Sequence, residues 1–79
     1  MKRIEFEEQG FRVVTYNPRG GWVAHIYPEK GMNALVNIRG LENKQDALLK
    51  IGCEIGYLLL NEVDPQNPCE GPGKWVDYK

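Results

Sequence analysis

His25 is the only histidine in a chain of 79 residues. As a general base it would need a nucleophile within reach and a third group to orient its ring. Thr15 and Tyr16 are the residues that a neighbouring strand can bring near it, yet nothing in the sequence marks a pocket around them. Glu5, Glu7 and Glu8 cluster close to the start. Carboxylates divide acid and base roles only when burial separates their pKa values, and these sit in a solvated pattern. Gly20-Gly21 lacks the strand-to-helix context and the Gly-Lys-Ser/Thr ending of a phosphate loop. Cys53 and Cys69 form no Cys-x-x-Cys pair. With His25 they are scattered candidates, whereas a structural zinc site takes about four ligands at close spacing. The expectation is two free thiols packing as small hydrophobes, because a reducing cytosol disfavours a disulfide. No catalytic residue, metal or cofactor is expected, so the chemistry on offer is recognition.

Two sets of residues can carry recognition. Arg12, Tyr16, Arg19, His25, Tyr27 and Arg39 interleave arginines with aromatic rings, a mixture that contacts phosphates and stacks on bases. Leu49, Cys53, Tyr57 and Leu60 form an apolar flank of a helix. Trp75 and Tyr78 lie in a short tail, where large aromatic rings are unusual unless they dock. An apolar flank that the chain does not cover internally marks an interaction site. The tail, a second copy of the chain or another protein can cover it.

The elements that must position these residues follow from the spacing. Residues 3–8 alternate, with Ile4 and Phe6 on one face and Arg3, Glu5 and Glu7 on the other, the pattern of a half-buried strand. Residues 11–16 are rich in β-branched and aromatic types, and Asn17-Pro18-Arg19-Gly20-Gly21 is a strong turn signal. Residues 22–27 return as the second arm of a hairpin. After a turn at 28–31, residues 33–39 make the last strand of a meander, ended by Gly40. The expected sheet then turns Val13, Trp22, Ala24, Ile26, Ala34, Val36 and Ile38 toward the helix. It turns Arg12, Tyr16, Val23, His25, Tyr27, Leu35, Asn37 and Arg39 to the open side. A slip of one residue would exchange the two sets.

Asn43 is a good N-cap with Asp46 three residues on, and a helix is expected over about 44–62. Lys50, Glu54 and Asn61 fall on a polar stripe, with Leu48, Ile51, Gly52, Ile55 and Leu59 opposite. Gly52 and Gly56 are four apart and make a flat strip, which lets a helix lie close to its own sheet or to a partner. Asp64-Pro65 and Asn67-Pro68 end the helix, since a residue before proline avoids the α region. A Pro/Gly-rich loop follows, and residues 74–79 alternate and are expected to fold back and dock on the body, an extra strand being one form of docking.

Charge is uneven along this outline. Residues 11–40 carry four cations against one acid, a net of +3, and residues 41–79 carry four against seven, a net of −3. The whole chain is at −1, whereas nucleic-acid domains usually carry a basic excess. No apolar run is long enough to span a membrane, and no signal peptide is seen, so the expected location is the cytoplasm.

Three strands, a Gly-bounded turn and a capped helix starting near Gly40-Leu41-Glu42-Asn43-Lys44-Gln45-Asp46-Ala47 resemble the β-β-β-α DNA-binding domains. These include the arm-binding domains of tyrosine integrases and the plant ethylene-response domains. Gly21-Trp22-Val23-Ala24-His25-Ile26 is similar to their second strand and Asp46-Ala47 to their helix start, so the likeness covers roughly residues 11–60. It implies an open sheet face lying in the major groove, with Arg12, Tyr16, Arg19, His25, Tyr27 and Arg39 in contact. The chain departs from that family in its acidic charge and in having His25 and Tyr27 where arginine is usual. Gly20-Gly21-Trp22-Val23 with the helix also resembles HicB-type antitoxins, which bind a toxin partner. The reading is a single α+β domain acting as a non-catalytic binding or regulatory module. Protein–protein contact or homodimerisation through the helix flank and tail comes first, and nucleic-acid binding is the alternative.

Overall fold

The computed structural model describes residues 2–66 and 73–78. Its elements are β1 (Arg3–Glu8), β2 (Phe11–Tyr16), β3 (Trp22–Tyr27), β4 (Val36–Leu41), α1 (Lys44–Leu60) and β5 (Lys74–Asp77). They form a sheet of order β1-β2-β3-β4-β5. The first four strands pair antiparallel, and β5 runs parallel to β4. The fold is the expected α+β meander with one long helix on a face, and the tail adds a fifth strand. Cys69 and the Asn67-Pro68 pair lie outside the described residues.

Turn chemistry sets the register. Gln9 and Gly10 both have positive φ, 54° and 86°, the backbone of a two-residue turn whose twist matches its flanking strands. Glu8 therefore faces Phe11, and Phe6 faces Val13. Phe11, Val13, Thr15, Trp22, Ala24, Ile26, Val36, Ile38 and Leu41 all point inward and are buried. The inward set expected on β2, β3 and β4 holds, and Ala34 sits just ahead of β4, half-buried. β4 starts later than expected and runs through Gly40 to Leu41. Gly40 has φ 82° and lies where the β3–β4 register shifts. It is a bulge residue rather than a stop.

The helix starts as its cap dictates, with Asn43 Oδ1 accepting from the Asp46 backbone N–H at 2.8 Å. It ends at Leu60, short of the expected 62. The Val63 N–H donates to the Leu58 carbonyl at 2.9 Å and the Glu62 N–H to the Leu59 carbonyl at 3.0 Å, the paired closure of a Schellman motif. That motif places Glu62 at φ 59°, where a side chain costs about 1 kcal/mol relative to glycine. Glu62→Gly is therefore expected to raise stability by about 1 kcal/mol in urea unfolding. An unchanged or lower midpoint would show that no such cost exists.

Ala47, Ile51 and Ile55 bury the inner face of α1 against the sheet. Three expectations fail here. Leu48 and Leu59, assigned to the sheet side, are 40% and 43% exposed. Gly52 and Gly56 do not lie on the chain's own sheet, since a Cβ built on either meets nothing within 4 Å. Glu54, assigned to the solvent stripe, is only 3% exposed. The reason is that β5 runs beside it: Lys74 Nζ and Lys50 Nζ each lie 3.4 Å from a Glu54 carboxylate oxygen. No helix among the described residues is long and apolar enough to cross a membrane.

Candidate functional site

The alternation of β2 and β3 brings Arg12, Tyr16, His25 and Tyr27 to the open face. His25 sits opposite Val14 on one side and Asn37 on the other. Asn37 Oδ1 lies 2.7 Å from His25 Nδ1. An amide oxygen only accepts, so Nδ1 carries a proton. In the neutral ring Nε2 is then the acceptor for the Tyr16 hydroxyl at 3.2 Å. The result is a chain Tyr16–His25–Asn37 laid across β2, β3 and β4. Asn37 is a member that sequence reasoning left among the surface polar residues. The signal that could have found it was its register, directly across from His25.

The arginines of this face are already engaged. Arg12 Nε donates to the Pro28 carbonyl at 3.1 Å and its Nη2 to the Gly31 carbonyl. Its guanidinium lies 5.3 Å from the Tyr27 ring centre. Arg12 thus holds the loop between β3 and β4. Arg39 pairs with Asp77 and stacks over the Trp75 ring at 5.1 Å. Arg19 is exposed in the turn at 17–21, beyond the Tyr16 end of the face. Arg12 and Arg39 stand at opposite ends, since Arg12 is level with Tyr27 while Arg39 follows Ile38, the partner of Ala24. A shallow depression of about 240 Å³ over β1 and β2 is lined by Glu5, Glu7 and Arg12 among others. It falls short of the roughly 300–1,000 Å³ typical of ligand pockets.

The Arg39–Asp77 pair ties β5 to β4 on the solvent side, with side chains 58% and 68% exposed. The hydrogen bond from Arg39 outweighs desolvation and, with a smaller contribution from the Arg39 charge, holds the Asp77 carboxyl below its ordinary value of 3.8. The folded carboxylate binds its proton less readily than the unfolded one. The pair's contribution is therefore present above pH 3.8 and is lost as pH falls through the depressed folded value. We expect the Trp75 indole resonance to shift in that acid window and to lose this step in Asp77→Asn. Identical titrations of the two proteins would disconnect the pair from Trp75.

The helix flank is the second surface. Leu49 is 70% exposed, Tyr57 58% and Leu60 80%, and Cys53 is an exposed free thiol. The described tail residues do not cover them, because β5 lies at the sheet edge. The two tail aromatics part company. Trp75, 60% exposed, pairs with Asn37 and joins the open face, whereas Tyr78 lies with its ring 5.7 Å from Lys50 Nζ at the side of α1. Tyr57 also turns toward the β5 edge, its ring 5.6 Å from Lys74 Nζ.

What is left on the outside of α1 is an apolar, uncharged surface. The two charged side chains between Leu48 and Leu60 are Lys50 and Glu54, and they pair with each other on the β5 side. Leu48, Leu49, Gly52, Cys53, Leu59 and Leu60 are all exposed. With no outward charge between them, these residues form an exposed apolar helix face. No family model matches the chain, and no curated protein or solved structure matches it.

Proposed function

We propose that the chain is a non-catalytic interaction module whose working surface is the outer face of α1. The observation that carries this is the absence of outward charge from Leu48 to Leu60, combined with four leucines exposed by 40% or more. An isolated surface helix normally places charged residues on the face away from its core. Here the charges are turned sideways and the leucines outward. The test is Leu49→Glu with Leu60→Glu. Because both side chains already meet water, unfolding free energy should move by no more than about 0.5 kcal/mol for each. Binding of an apolar fluorescent probe should fall several-fold. Undiminished probe binding would place the adhesive surface elsewhere.

A second reading rests on the open face, where Trp75 is 60% exposed beneath the Arg39 guanidinium. Stacking of a base on such a ring, next to Tyr16, His25 and Tyr27, is the alternative role in nucleic-acid binding, and the likeness to β-β-β-α DNA-binding domains points the same way. It predicts retention of single strands at low salt that is weakened by Trp75→Ala and Arg39→Ala. It ranks second because Arg12 and Arg39, its main cations, already have partners.

A further inference from the structure

The occupant of the α1 face follows from the order of its residues, given that this face is the interaction surface. In the segment Leu48-Leu49-Lys50-Ile51-Gly52-Cys53-Glu54-Ile55-Gly56-Tyr57-Leu58-Leu59-Leu60, three of the six residue pairs that mirror each other about Glu54 are identical. Leu48 mirrors Leu60, Leu49 mirrors Leu59 and Gly52 mirrors Gly56. Glu54 is buried against Lys50 and Lys74. With about 3.6 residues per turn, those six mirrored residues lie together on the side of the helix opposite Glu54. This patch suits an isologous interface, because a two-fold axis sets each surface against its own reversed copy and so brings leucine to leucine and glycine to glycine.

We propose that the partner is a second copy of this chain, with two α1 helices crossing antiparallel about a two-fold axis level with Glu54. Leu48 and Leu49 of each copy then meet Leu59 and Leu60 of the other. Gly52 comes across from Gly56, and the lack of Cβ atoms there lets the backbones approach closely. Like-charge contact is absent, although each copy carries a net charge of −1, because Lys50 and Glu54 are paired on the flank. A partner bearing charged side chains would have to bury them unpaired against this face.

The area is adequate but small. Leu48, Leu49, Leu59 and Leu60 are 40%, 70%, 43% and 80% exposed. With Gln45, Gly52, Cys53 and Gly56 they offer roughly 600 Å² per copy, about 1,200 Å² in total, the low edge of specific interfaces. An interface of that size belongs to a dissociable dimer rather than an obligate one.

Cys53 provides the readout, because it lies one residue from the two-fold level on the rim of the face. In a Cys69→Ser background, mild oxidation or a short bis-maleimide should join Cys53 to Cys53 of the second copy. Sedimentation at rising concentration should show a monomer going to a dimer. Gly52→Leu should abolish the dimer. Gly52→Ala should weaken it while raising monomer stability by roughly 0.5–1 kcal/mol, as expected at a helix position with open space around it. A dimer that Leu60→Glu dissolves but that never cross-links through Cys53 would overturn the antiparallel arrangement and leave the helix-face reading standing. A strict monomer with strong apolar-probe binding at Leu49 and Leu60 would overturn the second copy as occupant. A dimer indifferent to Leu60→Glu would overturn both.

Discussion

Ile26→Ala is expected to cost about 3 kcal/mol of unfolding free energy and to lower the melting temperature by about 15 °C. Ile26 is fully buried in β3, the middle strand of the sheet. Its Cα partners are Val13 on one side and Val36 on the other, both buried and on the same face. Ile51 and Ile55 of α1 belong to the same cluster. Truncation removes the transfer free energy of the lost methyls and leaves a cavity that paired strands cannot collapse around. A domain of this size holds only about 4–12 kcal/mol in total, so the loss is a large share of it. Ile26→Val should cost about 1 kcal/mol. Val23→Ala, on the half-exposed face of the same strand, should cost less than Ile26→Ala by several-fold. Thermal unfolding followed by circular dichroism measures all three. Equal losses at Val23 and Ile26 would mean that the two faces of the sheet had been exchanged.

That assignment of faces was legible in the sequence wherever one apolar residue alternated with one polar one. Trp22, Ala24 and Ile26 follow that rule, and so do Val36 and Ile38. β2 was harder because Val13 and Val14 adjoin. The residue that would have settled it is Thr15, which is fully buried. Its hydroxyl disguises an inward position, and burial is tolerated because Oγ1 donates to the Val23 carbonyl at 2.9 Å. β4 was shifted because Ala34 and Leu35 look like strand residues, while Gly40 looks like an end. The left-handed backbone at Gly40 instead kinks the strand and lets it continue to buried Leu41.

The helix shows a different kind of failure. Its existence and its cap were plain from Asn43 and Asp46. Its orientation was not, because a segment with leucine at 48, 49, 58, 59 and 60 has apolar residues on nearly every side. Periodicity then stops selecting a buried face. Glu54 compounds the error. A carboxylate is read as solvated unless a partner is known, and one partner here is Lys74, which arrives from a strand beyond the loop. The same long-range placement explains why the tail aromatics were grouped with the helix flank. Only the parallel pairing of β5 with β4 puts Trp75 on the open face and Tyr78 on the helix side.

Gly73→Ala is expected to release β5 from the sheet, although it adds a single methyl group. A Cβ at Gly73 would collide with the Ala34 carbonyl oxygen and approach Asn37 Nδ2 to 3.0 Å. The obstacle is backbone, so no rotamer change relieves it, and overpacking of this sort costs about 1–3 kcal/mol. Against that β5 sets a four-residue ladder on β4, the exposed Arg39–Asp77 pair and the Lys74–Glu54 pair. It has four residues, of which Val76 alone is half-buried. Its entry and exit are held by the Lys74 N–H to the Leu35 carbonyl and the Tyr78 N–H to the Arg39 carbonyl, both at 2.9 Å. The exit depends on a second glycine, since a Cβ at Gly40 would come within 3.3 Å of the Tyr78 carbonyl oxygen. Once β5 leaves, Glu54 loses Lys74 and faces an edge opened to water beside Lys50 alone. Amide exchange at Lys74 and Tyr78 should then accelerate by roughly tenfold or more, while the Ile26 amide stays protected. Gly52→Ala, the same chemical change in open space, should leave those amides slow and make the helix firmer. If Gly73→Ala left the Lys74 and Tyr78 amides as slow as before, β5 would not depend on the absence of a side chain at its entry. The strand would then be held by its ladder to β4 and its two ion pairs, and not by the fit at its entry.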